Sequence, residues 1–227
     1  MPFPTLLATL ADVRRRIAAA VLRGGHDQTV TIIAVTKTFG PEAPMAAFAA
    51  GLTDVGENKV QEALDKMPHV PAPVRWHLIG HLQRNKVKFV DPFVLVHGMD
   101  SLRLADALHA HGVSRGRPVP VLLQVNVTGE TSKGGATAAE VPALAATLRT
   151  RVGLEVRGVM TMAPFDAPES ALRSAFSGAR ACGERLRDAG LPATELSMGM
   201  SGDFEMAVEE GATMVRLGSI LFGARTQ

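Results

Sequence analysis

Short apolar stretches alternate with amphipathic segments along almost the whole chain, and this alternation predicts an α/β fold. Apolar residues recur every three or four positions between residues 5 and 23, which is typical of a helix with one buried face. The following run from Val30 to Lys37 is almost continuously apolar, as expected for a strand that is buried on both faces. In all, strands are predicted at 31–37, 52–57, 75–80, 93–98, 119–127, 154–161, 194–199 and 213–217. Helices after the first are predicted at 41–50, 58–67, 81–89, 101–111, 137–149, 168–189 and 203–210.

Eight strands that alternate with helices predict a parallel sheet, and their number favours a single (β/α)8 TIM-type barrel preceded by an additional N-terminal helix. An open doubly wound sheet is the alternative, because a pattern of strands does not show whether the sheet closes. The sequence contains no linker, repeat or low-complexity tract. We therefore expect one domain over residues 1–227, with residues 1–25 forming a helix that packs on the barrel.

Composition and charge exclude several classes of protein. Hydrophobic residues make up 46% of the chain and the formal net charge is +2, so the sequence can build a sizeable core and carries no extended basic patch. The densest basic run, Arg14–Arg16, lies in the first amphipathic segment and indicates a solvated helix face rather than a nucleic-acid site. A single cysteine, Cys182, cannot form an internal disulfide, and no stretch approaches the roughly 20 apolar residues of a membrane span. We expect a cytoplasmic protein without nucleic-acid or membrane partners.

Polar side chains follow most of the predicted strands at their C-terminal ends. Active sites of (β/α)8 barrels lie on that face, and phosphate sites are often built by the loops after strands seven and eight. The residues in these positions are Lys37 after the first strand, Asn58 after the second, His81 after the third, Asn126 after the fifth, Ser201 after the seventh, and Arg216, Gly218 and Ser219 at the eighth.

Lys37 is the candidate for covalent chemistry. Ile33, Val35 and Lys37 share one face of the predicted strand at period two, so an inward-pointing Ile33 and Val35 imply an inward-pointing ammonium. An amine in a desolvated site beside a fixed cation is easier to deprotonate, as addition to a carbonyl requires. A solvated lysine at the edge of the sheet is the alternative that the position alone leaves open.

Two small-residue turns and one arginine complete the predicted site. The segment Ser201–Glu205 begins a helix whose N–H groups suit an anion, and Gly218–Ser219 offers a second approach with one hydroxyl. Simple helix capping would explain either turn alone, but two such turns on consecutive strand ends favour a phosphate site. Arg216 lies between Val215 and Leu217 and so points to the opposite face of that strand; a surface ion pair with a nearby glutamate is the alternative.

Other signals are weaker. His77 and His81 are four residues apart, but the predicted strand and Gly80 argue against a zinc site on one helix face. The segment Gly129–Gly135 has the composition of a phosphate loop without the residue order of a P-loop, and it is interpreted as a mobile loop. No apolar stripe is left over for an interface, which favours a monomer.

These segments together resemble the YggS/PROSC family of pyridoxal phosphate homeostasis proteins, which are similar to the N-terminal domain of alanine racemase. The resemblance covers nearly everything after the first helix. The matching segments are Ala34–Thr38, Gly56–Glu62, Trp76–Gln83, Val125–Asn126, Gly129–Glu130, Ser132–Lys133, Arg157–Met162, Leu196–Ser201 and Arg216–Gly223. Gly98 and Ala212 depart from the family pattern, which more often has serine at both positions.

The resemblance implies an alanine-racemase-like barrel that carries pyridoxal 5′-phosphate (PLP) as a Schiff base on Lys37. It also implies that PLP is bound and handled without evident catalytic turnover, in vitamin B6 and amino-acid homeostasis, with apo-PLP enzymes as transient recipients. By the same resemblance, the phosphate would be held by Ser201, Gly218 and Ser219, Arg216 would face the pyridine nitrogen, and Asn58 would lie near the ring. No catalytic residue and no metal site are implied.

Two other functions compete with the carrier. Racemases of this fold pair the lysine with a tyrosine from an added β-domain, whereas this chain has no tyrosine and only eight residues after Ser219. A racemase-like enzyme would therefore need another proton carrier, such as His81. The second alternative is a barrel lyase that forms a Schiff base directly with a phosphorylated sugar.

Overall fold

The computed structural model describes residues 2–129 and 134–223, so four residues of the predicted loop at 129–135 lie outside the described part. The helices are α1 (Leu6–Gly24), α2 (Glu42–Ala49), α3 (Val60–Lys66), α4 (Leu102–Ser114), α5 (Val141–Arg149), α6 (Glu169–Asp188), α7 (Phe204–Glu209) and α8 (Ser219–Phe222). The strands are β1 (Thr31–Val35), β2 (Asp54–Glu57), β3 (Arg75–Leu78), β4 (Phe93–Met99), β5 (Val119–Gln124), β6 (Leu154–Met160), β7 (Glu195–Ser197) and β8 (Met214–Leu217).

The eight strands are parallel and form a closed barrel in chain order. Closure is made by β1 and β8, where Ile33 pairs with Arg216 and Ala34 with Leu217. The predicted (β/α)8 barrel is thereby confirmed and the open doubly wound sheet is ruled out.

Several predicted elements differ in length or type. The helix predicted at 81–89 is wrong as an α-helix, because only Arg84–Phe89 is helical and it has 3₁₀ geometry. Residues 81–83 before it have no regular secondary structure, and Leu82 among them is buried. The short helix α8 was not predicted, since a four-residue element gives no periodic signal.

Apolar side chains fill two separate spaces. The larger core lies between the strands and the surrounding helices, and residues at alternate positions of each strand contribute to it. A smaller apolar cluster lies inside the barrel and consists of Ile33, Leu95, Leu122, Met160 and Met214. The polar side chains that approach the barrel axis stand beside this inner cluster.

The N-terminal helix α1 covers the side of the barrel formed by α7 and α8. Its buried residues are Leu6, Leu10, Val13, Ile17 and Ala20. Arg16 lies 4.6 Å above the ring of Phe204 and its Nη2 donates to Glu205 at 2.5 Å. Arg14 and Arg15 are exposed, as predicted for a solvated helix face, whereas Arg16 is only partly exposed and joins α1 to α7.

A buried ionic cluster ties the end of β1 to β2 and α3. The ammonium of Lys66 lies 2.8 Å from both Glu57 Oε1 and Glu62 Oε1 and donates to the carbonyl of Thr36 at 3.0 Å. The hydroxyl of Thr36 donates to Glu57 Oε1 at 2.6 Å. Burial raises the pKa of Glu57, although the hydrogen bonds from Lys66 and Thr36 act in the opposite direction. The cluster anchors the residue that immediately precedes Lys37.

The residue that follows Lys37 is anchored by the same cluster. Thr38 has a φ of 72°, a conformation that costs energy for a β-branched side chain. Its backbone N–H donates to Glu62 Oε1 at 2.6 Å, which offsets part of that cost. Burial alone would raise the pKa of Glu62, but the hydrogen bonds from Lys66 and Thr38 lower it, so this carboxylate is charged at neutral pH. Lys37 thus lies on a short turn that is fixed on both sides.

We predict that Lys66→Met lowers the free energy of unfolding at pH 7 by about 3–5 kcal/mol, because the buried carboxylate of Glu57 loses its cation. Denaturant unfolding would measure this loss. The exposed neighbour Lys59→Met is the matched control and should change the stability by less than about 0.5 kcal/mol. A Lys66→Met protein as stable as the wild type would contradict the structural role of the cluster.

Candidate functional site

A cavity of about 960 Å3 opens at the C-terminal ends of the strands. The six residues predicted to bind the cofactor line it: Lys37, Asn58, Ser201, Arg216, Gly218 and Ser219. The loop after β6 borders its mouth, where Phe165 is 95% exposed. The predicted residues therefore come together in one place on the face where (β/α)8 barrels carry their active sites.

The lysine position follows from the alternation of β1. Ile33 belongs to the apolar cluster inside the barrel, and Val35 lines the cavity. Lys37 continues this face two residues later, is partly exposed, and lines the same cavity. The period-two argument is confirmed for the placement of the side chain, although β1 itself ends at Val35.

Asn58 enters the cavity through a close approach of two strand ends. A Cβ atom at Gly80 would lie 2.4 Å from the carbonyl oxygen of Asn58, so only glycine allows the end of β3 to pass so near. His81 and Asp100 follow on the next part of the wall, with His81 Nδ1 at 2.9 Å from Asp100 Oδ2.

The turns after β7 and β8 are joined directly. The backbone N–H of Ile220 donates to Ser201 Oγ at 3.3 Å, which brings the two predicted phosphate turns side by side. Gly199 begins the first turn with a φ of 91°, and a Cβ atom there would lie 2.6 Å from Cβ of Ala207. Both serine hydroxyls and the backbone of Gly218 consequently line one section of the cavity wall.

The helix expected from Ser201 begins later, at Phe204. Asp203 occupies its N-cap position, but its Oδ1 accepts from the N–H of Met200 at 2.5 Å and makes no side-chain cap bond within the helix. Burial raises the pKa of Asp203, while the hydrogen bond from Met200 and the charge of Arg216 oppose this rise. Because α7 and α8 are short, hydroxyls and turn N–H groups rather than helix dipoles supply the donors here.

Arg216 is buried at the floor of the cavity, and the alternative of a surface ion pair is wrong. Its Nη1 donates to both the carbonyl and the hydroxyl of Ser197 at 2.7 Å, and its Nη2 donates to the carbonyl of Thr161 at 2.9 Å. Burial lowers the pKa of Arg216 to about 10, so the guanidinium is still charged at neutral pH. Glu209 and Glu210, the glutamates closest to Arg216 in the sequence, form ion pairs with arginines of α1 and α6 instead.

Sequence reasoning missed some of the wall and misplaced one residue. Gln124, which ends β5, lines the cavity and donates to the carbonyl of Gly134 at 2.7 Å, whereas Asn126 is not part of the lining. The strand was predicted to run to residue 127, which moved the expected strand end by three residues. Asp100, at the end of β4, would have been found by applying the strand-end rule to that strand as well.

The described part of the chain offers no metal centre: residues 2–129 and 134–223 contain no group of three or more His, Cys, Asp or Glu side chains that could hold an ion. The side chains of His77 and His81 also lie in different places, since His77 is buried inside the barrel and His81 is exposed in the cavity.

Comparisons with known proteins identify the family of this chain. The family described as "Alanine racemase, N-terminal domain" matches residues 10–226. The chain is 42% identical over 224 residues to the pyridoxal phosphate homeostasis protein of Pseudomonas aeruginosa, with 97% of this chain and 96% of that protein covered. It is 39% identical over 227 residues to the protein of the same name from Escherichia coli, with 95% of each covered.

Solved structures show the same fold. PipY of Synechococcus elongatus, solved with PLP bound, superposes with a TM-score of 0.84 at 34% identity and covers 96% of this chain and 100% of PipY. An alanine racemase of Clostridium difficile gives a TM-score of 0.73 at 14% identity, with 94% of this chain and 57% of the racemase covered, which is a likeness of fold alone. The chain belongs to the alanine racemase N-terminal domain family, among the relatives known as pyridoxal phosphate homeostasis proteins.

Proposed function

We propose that this protein binds PLP, holds it through a Schiff-base link to Lys37, and serves PLP and amino-acid homeostasis as a carrier without catalytic turnover. The observation that carries the proposal is the cavity that joins Lys37 to the paired turns after β7 and β8. PLP has an aldehyde and a phosphate on one ring. An amine and an anion site that line the same cavity therefore match these two groups. PipY, which is 34% identical, binds PLP in the same fold.

The residues present fit this group in size and chemistry. A cavity of about 960 Å3 lies within the usual range for small-molecule sites, and both polar and apolar side chains line it. Ser201, Gly218 and Ser219 would hold the phosphate through hydroxyls and turn N–H groups. Asn58 would contact the ring from the wall between Lys37 and Gly80.

Arg216 would face the pyridine nitrogen from the floor of the cavity. A guanidinium only donates hydrogen bonds, so it would pair with an unprotonated nitrogen and would not supply a proton to it. When bound, PLP provides an aldehyde for amines and a ring that withdraws electrons best when its nitrogen is protonated. The buried arginine therefore favours a cofactor that is stored rather than activated for chemistry on an amino acid.

The names of the relatives and the composition support the carrier over the racemase. The curated relatives are named as homeostasis proteins, and this chain has no tyrosine to act as the second base of a racemase. One observation favours the enzyme: the His81–Asp100 pair places a titratable ring, oriented by a carboxylate, in the cavity. A proton carrier in this position is what a racemase-like reaction would need.

The proposal includes a cytoplasmic monomer that passes PLP to apo-enzymes. Among the described residues, Met162, Phe165 and Met200 are exposed beside the cavity mouth, which gives a bound cofactor a route to solvent past these side chains. Cys182, the single cysteine, is buried and burial raises its pKa, as is common for an unreactive thiol in a reducing compartment. No helix in the described part of the chain is long and apolar enough to cross a membrane.

Lys37→Ala should abolish the visible colour of the protein. We expect purified wild type, or wild type reconstituted with PLP, to be yellow, because the covalent link to lysine absorbs visible light. Absorption spectra of wild type, Lys37→Ala and the exposed control Lys88→Ala would measure this, and only Lys37→Ala should lose the band. A colourless wild type that cannot be reconstituted would refute PLP binding and leave the sugar lyase as the better reading.

Ser201→Ala should speed the release of PLP without preventing its binding. Removal of a hydroxyl that donates to a charged phosphate costs about 1.5–3 kcal/mol, which corresponds to roughly a 10- to 150-fold faster release. Transfer of PLP to an excess of an apo-enzyme, followed by stopped-flow absorbance, gives the rate. Ser174→Ala, which changes a serine of α6 outside the cavity, is the control. Release at the wild-type rate would place the phosphate elsewhere.

Incubation with either enantiomer of alanine separates the carrier from the enzyme. We expect no racemisation above a protein-free PLP solution, because the second base is missing. Chiral chromatography over hours would detect turnover. Robust racemisation that disappears in His81→Gln would establish the enzyme and assign His81 as the second base.

A further inference from the structure

Five buried polar side chains, each from a different strand, form an unbroken line of hydrogen bonds inside the barrel. His77 Nε2 lies 2.8 Å from Asp54 Oδ1, and His77 Nδ1 lies 3.0 Å from His97 Nε2. His97 Nδ1 lies 2.8 Å from Ser197 Oγ, which also accepts from Arg216 Nη1 at 2.7 Å. All five residues are less than 10% exposed. The line therefore runs from β2 through β3, β4 and β7 to β8 without a gap.

The two ends of this line open to different surfaces. Arg216 lines the cavity at the C-terminal ends of the strands. Asp54 is the first residue of β2 and borders a separate pocket that also contains Arg14 and Thr31. The exposed Arg75 approaches Asp54 Oδ1 to 3.4 Å. A cation at the cavity floor is thus connected to a carboxylate at the opposite end of the barrel.

The chemistry of the end groups fixes the direction of every bond. Arg216 has no acceptor, so it donates to Ser197, whose own proton must then go to His97 Nδ1. A neutral His97 that accepts at Nδ1 carries its proton on Nε2 and donates it to His77 Nδ1. His77 in turn carries its proton on Nε2 and donates to the carboxylate of Asp54. Ser197, His97 and His77 therefore each accept one hydrogen bond and donate one along this line.

The opposite direction of the hydrogen bonds, in which His97 donates to Ser197, is less favourable. It requires His77 to be doubly protonated, so that it donates to both Asp54 and His97. His97 would then donate to Ser197, and the described contacts provide no acceptor for the serine proton. Burial lowers the pKa of His97 well below its ordinary value, and the charge of Arg216 acts in the same direction. Burial would raise the pKa of Asp54, but the hydrogen bond from His77 and the charge of Arg75 lower it, so the carboxylate remains ionised.

We propose that Asp54, His77, His97 and Ser197 are positioning residues for Arg216, and that their one-directional line of hydrogen bonds locks its guanidinium as a donor at the cavity floor. The consequence for the cofactor rests on the proposed function, in which Arg216 faces the pyridine nitrogen. Buried hydrogen bonds that share one direction strengthen one another, so a change at Asp54 weakens the hold on Arg216. The fold thereby links the cofactor site to a residue outside the cavity.

The tautomers provide a test that requires no cofactor. In protein with ¹⁵N-labelled histidine at pH 7.5, long-range ¹⁵N–¹H correlation spectra should show His77 and His97 as neutral rings protonated at Nε2. His77→Gln and His97→Gln would assign the two signals. A doubly protonated His77, or a His97 protonated at Nδ1, would overturn the proposed direction whether or not PLP binds.

Variants at the far end test whether the line acts on the cofactor. Asp54→Asn keeps an oxygen for His77 but removes the charge, and it alters no residue of the cavity. We expect a shift of the bound PLP absorption band and a release rate about tenfold above wild type, at the lower end of the 10- to 100-fold range known for residues that orient metal ligands. Ser197→Ala, next to Arg216, should release PLP about tenfold faster, and Ser197→Thr should restore slow release because the hydroxyl returns.

A matched control separates positioning from stability. His111 forms a hydrogen bond of 2.7 Å with Asp91 outside the barrel, so His111→Gln removes a comparable His–Asp pair far from the cavity. It should lower the melting temperature and leave the PLP spectrum unchanged. If Asp54→Asn and Ser197→Ala behave in the same way, the line is purely structural and the proposal fails. A colourless wild type that cannot be reconstituted with PLP would contradict the proposed function alone, because the tautomer result does not depend on PLP binding.

Discussion

The pairing of β1 with β8 is the contact on which the rest of the site depends. These strands are farthest apart in the chain, and their hydrogen bonds close the sheet with Ile33 beside Arg216. Closure places the turn that carries Lys37 next to the turn of Gly218 and Ser219, and both line one cavity. An open sheet would leave these two turns at opposite edges. The amine and the proposed phosphate site therefore exist as a pair only in the barrel.

Closure also creates an interior that must be filled, and this protein fills it with an apolar cluster and a polar line. Polar groups in such a space are costly unless each finds a partner. The line from Asp54 to Arg216 satisfies this condition and ends in opposite charges. Behind Lys37, the ammonium of Lys66 pairs with Glu57 Oε1, whereas Glu57 Oε2 is buried without a hydrogen-bond partner among the described residues. The two buried networks hold the lysine turn from one side and the arginine from the other.

Much of this arrangement could be predicted from the sequence. Alternation along β1 correctly placed Lys37 on the face shared by Ile33 and Val35, because side chains in a strand repeat every two residues. The two turns after β7 and β8 were found from their small residues and strand-end positions. The limits of prediction lay at element ends: a strand predicted to run to residue 127 hid Gln124, and the segment at 81–89 was predicted as a regular helix. Arg216 was placed on the right face, but its partners on β6 and β7 are distant in the chain.

The sequence by itself determined the order of strands and helices, the (β/α)8 class, and the residues that meet at the C-terminal face, because these follow from local periodicity and from where each strand ends. Only the tertiary structure decided that Ser197 and His97 join Arg216 to His77 and Asp54, that Lys66 sits behind Lys37, and that Arg16 pairs with Glu205 of α7. These contacts connect residues up to 189 positions apart. Their geometry depends on closure and on packing between elements, and no local pattern encodes either.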